Sequence, residues 1–170
     1  MQPILTVGSV AFDSIKTPAG EASRIVGGAA TYFSLAASFF APVRLVAVVG
    51  DDFGPRQQTV FDGRPIDLRG LQRVAGETFR WRGEYFDDLN RRETIYTELN
   101  VFEAFRPRIP AEFRASPFVF LANIHPALQL EVLEQVESPG LVALDTMNYW
   151  IEGTPEALRR VLARVDVLII

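Results

Sequence analysis

Gly27-Gly28-Ala29-Ala30-Thr31-Tyr32-Phe33-Ser34-Leu35-Ala36-Ala37, continuing past Ala41-Pro42 into Val43 to Val49 and Gly50-Asp51-Asp52-Phe53-Gly54, is the stretch on which the fold turns. The glycine pair opens an apolar segment, Ala29 to Phe40, with no internal Gly or Pro, which predicts a buried helix of about three turns. Glycines at a helix start leave backbone N–H groups facing outward and let a ligand approach the main chain, so a side chain at Gly28 is expected to harm binding more than folding. A tight turn is the other reading of the same pair. Pro42 stops the helix, and the β-branched run Val43 to Val49 predicts a strand buried on both faces, ending in an acidic turn.

The same grammar recurs outward from this unit. Ile4 to Val7 predicts a first core strand closed by Gly8-Ser9, with Asp13 in the following turn, and Thr17-Pro18-Ala19-Gly20 punctuates a hairpin between Ala11 and Val26 that stands off the main sheet. Pro55 to Phe61 predicts a short helix, and Asp62 to Gly70 a polar connection. Thr78 to Phe86 alternates in polarity and Glu93 to Leu99 is mixed, with Asp87-Asp88-Leu89-Asn90 between them, which predicts a second, partly exposed hairpin. Phe118 to Ala122 and Leu141 to Leu144 predict further core strands, separated by an amphipathic helix at Ala127 to Val136. Thr154-Pro155 predicts an N-capped helix that leads to a last apolar strand, Val167 to Ile170. Strand and helix alternate, which predicts an α/β fold with a largely parallel sheet.

Composition narrows the function. The 170 residues are 48% hydrophobic, enough for one sizeable core, and a net charge of −4 with interspersed signs argues against a nucleic-acid or anionic-membrane partner. With no cysteine and one histidine, thiolate and multi-histidine metal sites and a Ser-His-Asp triad have no support, and no apolar run approaches the roughly 18 residues of a membrane span. A cytoplasmic protein acting on a small neutral or polar molecule is the expectation. Ligands of open α/β sheets sit beyond the carboxyl ends of the strands. Here those ends carry Ser9 with Asp13, Asp51-Asp52, Asn123 with His125, and Asp145 with Asn148. Each has a plain alternative. Asp13 reads as a hydroxyl-binding carboxylate or a turn aspartate, Asp51-Asp52 as a helix cap or metal ligands, and His125 as a strand-end hydrogen-bonder or a ligand contact. Trp81, Tyr85, Phe86 and Tyr96 cover a substrate or simply pack the hairpin.

Val7-Gly8-Ser9 with Asp13, the run Gly27 to Ala37, and Val48-Val49-Gly50-Asp51-Asp52-Phe53-Gly54, in this order and spacing, resemble the N-terminal half of PfkB-type, ribokinase-like carbohydrate kinases. The resemblance implies a ribokinase-like α/β domain over residues 1–170, with a β-sheet lid made by inserts at about 10–26 and 77–105. It implies transfer of the γ-phosphate of ATP, with Mg²⁺, to a hydroxyl of a sugar or nucleoside, and a homodimer formed through the lid as a further arrangement. Asp13 then matches the acid that binds acceptor hydroxyls, and Gly27 and Gly28 match the di-glycine whose amides contact the acceptor. Tyr32, Asn123 and His125 complete the expected substrate-binding set. Ala11 and Tyr32 stand where the family often has Asn, and Ala41-Pro42 where Leu-Gly is usual, so the acceptor's identity is not carried over from ribokinase. No catalytic residue or metal ligand is expected among these residues: the family's catalytic Asp, anion hole and nucleotide site would fall beyond Ile170. The chain therefore reads as truncated and, alone, inactive. A non-catalytic sugar-binding or regulatory relative is the alternative.

Overall fold

The computed structural model describes residues 1–170. The chain begins with β1 (Ile4–Val7), then β2 (Ala11–Thr17) and β3 (Gly20–Gly27), then helix α1 (Ala29–Ala37) and β4 (Val43–Val49). After the one-turn α2 (Pro55–Gln58) come β5 (Ile66–Arg73), β6 (Arg80–Tyr85) and β7 (Arg92–Glu98). The rest alternates: α3 (Ala111–Arg114), β8 (Phe118–Leu121), α4 (Pro126–Leu133), β9 (Leu141–Asp145), α5 (Asn148–Gly153), α6 (Pro155–Leu162) and β10 (Val167–Ile169). No helix is long and apolar enough to cross a membrane.

Six strands form one parallel sheet in the order β10-β9-β8-β1-β4-β5, and β3-β2-β6-β7 form a separate small sheet. The inner strands β1, β4 and β8 are buried on both faces, which is why they are almost wholly apolar. Leu5, Val7, Val46 and Val48 face one core with Phe113, Val132 and Leu158, whereas Leu45, Ala47 and Val49 face the other with Ala30, Phe53 and Phe120. From β1 the chain builds outward to β4 and β5 on one side and then to β8, β9 and β10 on the other. The order thus reverses between β1 and β8, and the crevice beyond their carboxyl ends is the place such a sheet offers a ligand.

Three local expectations are corrected. The polar connection expected over Asp62 to Gly70 contains most of β5, an edge strand parallel to β4. Ile66 and Leu68 pack on the core while Asp67 and Arg69 pair with each other outside, so its alternation belongs to a sheet edge with one wet face. Helix α1 stops at Ala37, short of Phe40, with the Ser38 hydroxyl donating back to the Leu35 carbonyl (2.7 Å). Thr154 sits at the N-cap position of α6 without capping it, because its hydroxyl donates to Trp150 O within α5, a helix the sequence reading missed.

Asp51 and Asp52 neither cap α2, which starts from Gly54, nor join a group of three metal-ligating side chains. Asp51 accepts from Gly76 N–H (3.0 Å), and Asp52 accepts from the N–H (2.8 Å) and hydroxyl (2.6 Å) of Thr78. The other Asp52 oxygen faces Arg24 of β3 (3.2 Å) and Arg80 of β6 (3.3 Å). One carboxylate therefore ties both hairpins of the small sheet to the end of β4. Burial alone raises its pKa, but the Thr78 and Arg80 contacts outweigh that and hold it below the ordinary carboxylate value. Asp52→Ala is expected to cost about 1 to 3 kcal/mol at neutral pH, checked by urea unfolding. Because the folded-state pKa is depressed, the ionised group's stabilisation is lost as the pH falls through that value, and the gap between variant and parent should narrow in acid.

Candidate functional site

Between the carboxyl ends of the parallel strands and the inner face of the small sheet lies a cavity of about 830 Å³. Ser9 and Asn123 enter it from the turns after β1 and β8, Asp13 from β2, and Gly28 and Tyr32 from the first turns of α1. Trp81 and Tyr85 of β6 and Tyr149 and Trp150 of α5 supply much of its wall.

Asp13 is 8% exposed. It lies beside Trp81 in the β2–β6 register and opposite Ile25 of β3. A Cβ on Gly27 would collide with its carboxylate, so the absent side chain makes room for the carboxylate. Burial raises the pKa of Asp13, opposed by the Gly28 N–H and by the Tyr32 hydroxyl, which donates to Oδ2 at 3.4 Å. Tyr32 is raised in turn, by burial first and then by the Asp13 charge. The result is a carboxylate seated in an apolar wall, short of solvent and with capacity to accept from a ligand's hydroxyl.

The N-terminus of α1 is not the open donor set that the glycine pair suggested. Ala29 N–H donates to Ser9 Oγ (3.0 Å), Ala30 N–H to Ser9 O (3.1 Å), and the Gly28 N–H is directed to Asp13. The turn after β1 caps the helix from outside, so the charged group that faces the cavity there is the Asp13 carboxylate. The signal was in the sequence, since Ser9 is a capping residue type, but its partner lies 20 residues away and only folding joins them.

At the other wall, Trp150 Nε1 donates to Asn123 Oδ1 at 2.8 Å. An indole N–H can only donate, so one lone pair of the Asn123 oxygen is taken up by Trp150 and its NH₂ remains able to donate. Trp150 also meets Tyr149 (4.7 Å) and His125 (5.1 Å) edge to face. Gln129 of α4 donates to Ala122 O (3.0 Å) and Asp145 O (3.2 Å), locking together the strand ends that carry this wall.

Of the residues singled out from sequence, Asp13, Gly28, Tyr32 and Asn123 line the cavity; Gly27 and His125 do not. Gly27 pairs with Ala11 at the open end of the β2–β3 hairpin, and His125 Nδ1 accepts from Ala127 N–H (3.1 Å) at the start of α4, which is its strand-end hydrogen-bonding role. Asp145 stays outside too, its pKa raised by burial against bonds from Asn123 and Thr146 N–H. Among the hairpin aromatics, Trp81 and Tyr85 face the cavity while Phe86 packs under Arg91 and Tyr96 lies outside. Strand alternation sorts Trp81 and Tyr85 from their neighbours. Sequence reasoning missed Phe79, Phe102, Met147, Tyr149 and Trp150. Tyr149-Trp150 directly after a strand-end turn was the available signal for the last two.

No protein-family model matches the chain, and no curated protein matches its sequence. Solved structures do match. Superposed on the nucleoside kinase of Methanocaldococcus jannaschii, an archaeal member of the ribokinase family, 99% of the chain aligns with a TM-score of 0.74 at 18% identity. A PfkB protein from Polaromonas sp. JS666 aligns over 99% at TM-score 0.77 and 15% identity, and the ADP-bound ribokinase of Cryptococcus neoformans var. grubii over 98% at 0.76 and 17%. The chain spans 60%, 65% and 56% of the length of these three. The architecture is the ribokinase-like α/β fold.

Proposed function

We propose that this chain is the acceptor-binding part of an ATP-dependent kinase that phosphorylates a hydroxyl of a sugar or nucleoside, with the small sheet as a lid over the acceptor. The observation that carries the reading is Asp13, a buried carboxylate in a mainly apolar cavity at the switch point of a ribokinase-like sheet. Asp13 would accept from an acceptor hydroxyl, the Asn123 amide would donate to the same molecule, and the aromatic walls would keep water away. ATP supplies the phosphoryl group in such a reaction. The residues present do not fit the donor or its metal: no three acidic or histidine side chains converge, and Arg92 is the one cation on the cavity wall. No step is therefore assigned to the nucleotide within this chain. What these residues contribute is the placement of the acceptor.

The test is acceptor-dependent ADP release across a panel of sugars and nucleosides, for the 170-residue chain and for any longer polypeptide of its gene that contains it. The expected result is acceptor binding without turnover by the chain, and turnover by a longer polypeptide that adds a phosphate-binding segment. Turnover by the chain alone would place the donor site among these residues and correct the proposal. Binding with no turnover in either form would favour a non-catalytic, sugar-binding role.

A further inference from the structure

We infer that the acceptor is an uncharged alcohol carrying a planar heteroaromatic ring, of the nucleoside type, rather than a simple sugar or a sugar phosphate. The inference rests on the acceptor-site reading above and concerns what fills that site. The cavity, about 830 Å³, is several times what a lone furanose or pyranose ring fills and lies toward the upper end of the roughly 300–1,000 Å³ usual for small-molecule sites. Its chemistry is divided. Ser9, Asp13 and Asn123 gather near the ends of β1 and β8 and the start of β2, Arg92, Thr94 and Thr97 of β7 add the other polar groups, and 12 of the 19 lining residues are hydrophobic. A sugar offers hydroxyls on every edge, and those set against the apolar lining would go unpaired, at a cost that grows with their burial.

The aromatic side chains are placed to receive a flat ring. Trp150 is fixed by its bond to Asn123, and Tyr149 meets it edge to face yet is itself 67% exposed. Across the cavity, Trp81 donates from Nε1 to Thr94 Oγ1 (3.3 Å) and carries the Arg92 guanidinium over its ring (5.5 Å). Large aromatic surfaces held by their polar atoms and left partly wet are stacking platforms, and every nucleobase has a face to offer them. The free NH₂ of Asn123 beside this wall would pair with a ring carbonyl or ring nitrogen. Charge settles the rest. A phosphate-bearing acceptor needs converging cations, whereas this wall has Arg92 alone, already engaged on Trp81, and it also carries the Asp13 carboxylate.

Both tryptophans of the chain line the cavity, so intrinsic fluorescence reads its occupancy directly. The full 170-residue chain is titrated with adenosine, uridine, ribose, fructose and fructose 6-phosphate, and the series is repeated on Tyr149→Ala and Asp13→Asn. At least one nucleoside is expected to bind about tenfold or more tighter than ribose or fructose, with fructose 6-phosphate weakest. Tyr149→Ala removes an exposed side chain and is expected to weaken the nucleoside about tenfold, more than it weakens ribose. Ribose, fructose or the sugar phosphate binding as tightly as the nucleosides would overturn the inference. So would nucleoside binding that Tyr149→Ala leaves unchanged. In either case a loss of binding in Asp13→Asn keeps the acceptor-site reading standing. Binding of nothing, or binding indifferent to Asp13, would remove both.

Discussion

Gly28→Val is expected to destabilise the chain by on the order of 3 to 5 kcal/mol, a large share of the roughly 5 to 15 kcal/mol that holds a domain together. Two costs add. Gly28 has φ of +95°, a conformation that a β-branched side chain adopts only under strain. Its Cβ would also run into the Ser9 carbonyl oxygen, stand 2.8 Å from the Ser9 carbonyl carbon and 3.0 Å from Ala11 N. These are backbone atoms with nowhere to go. Ser9 O and Oγ hold the first two N–H groups of α1, so moving Ser9 uncaps the helix as well. The sequence-based expectation was the reverse, damage to binding more than to folding, because the space beside a helix N-terminus was assigned to a ligand. In the structure the turn after β1 fills it. Urea unfolding of Gly28→Val against the parent decides the point: an unchanged midpoint with lost acceptor binding would restore the ligand-cradle reading.

Asp13→Asn is expected to do the opposite to the two properties, weakening acceptor binding while raising stability. Replacing a charge-assisted hydrogen bond by a neutral one in a desolvated site costs about 1.5 to 3 kcal/mol, roughly tenfold to a hundredfold in Kd. Stability moves the other way because burial, the largest influence on Asp13, raises its pKa above the ordinary value, so the folded state holds the proton more readily than the unfolded chain. The ionised carboxylate therefore opposes folding above its folded-state pKa, and that penalty disappears as the pH falls below the ordinary carboxylate value. Thermal unfolding should show Asp13→Asn ahead of the parent at neutral pH and the two converging in acid. Acceptor binding by the parent should fade over the same descent, as Asp13 takes up its proton. An unchanged Kd for Asp13→Asn would end its assignment to the acceptor.

The inner strands of the large sheet were legible because two-sided burial writes itself as a nearly unbroken apolar run, as in Val43–Val49, which only Arg44 interrupts, and Phe118–Leu121. Both hairpins were legible from their turns and alternation. The edge strand β5 escaped because its polarity is set by one wet face, and Asp67 and Arg69 read like loop residues until their pairing outside the sheet is seen. Helix α5 escaped because six residues carry too little periodicity to register.

Local chemistry, then, determined what kind of groups stand at the strand ends: Ser9, Asp13, Asp51-Asp52, Asn123, His125 and Asp145. The tertiary structure decided which of them have spare bonding capacity. Asp51 and Asp52 are consumed by Gly76 and Thr78, His125 by Ala127, the first amides of α1 by Ser9, and one side of Asn123 by Trp150. Asp13 keeps acceptor capacity facing the cavity, and its wall of Tyr149 and Trp150 arrives from the far end of the chain. A residue's type and its neighbours in sequence fix what it can bond, but the partners that use up that capacity lie across the fold, where only the closing of the chain brings them together.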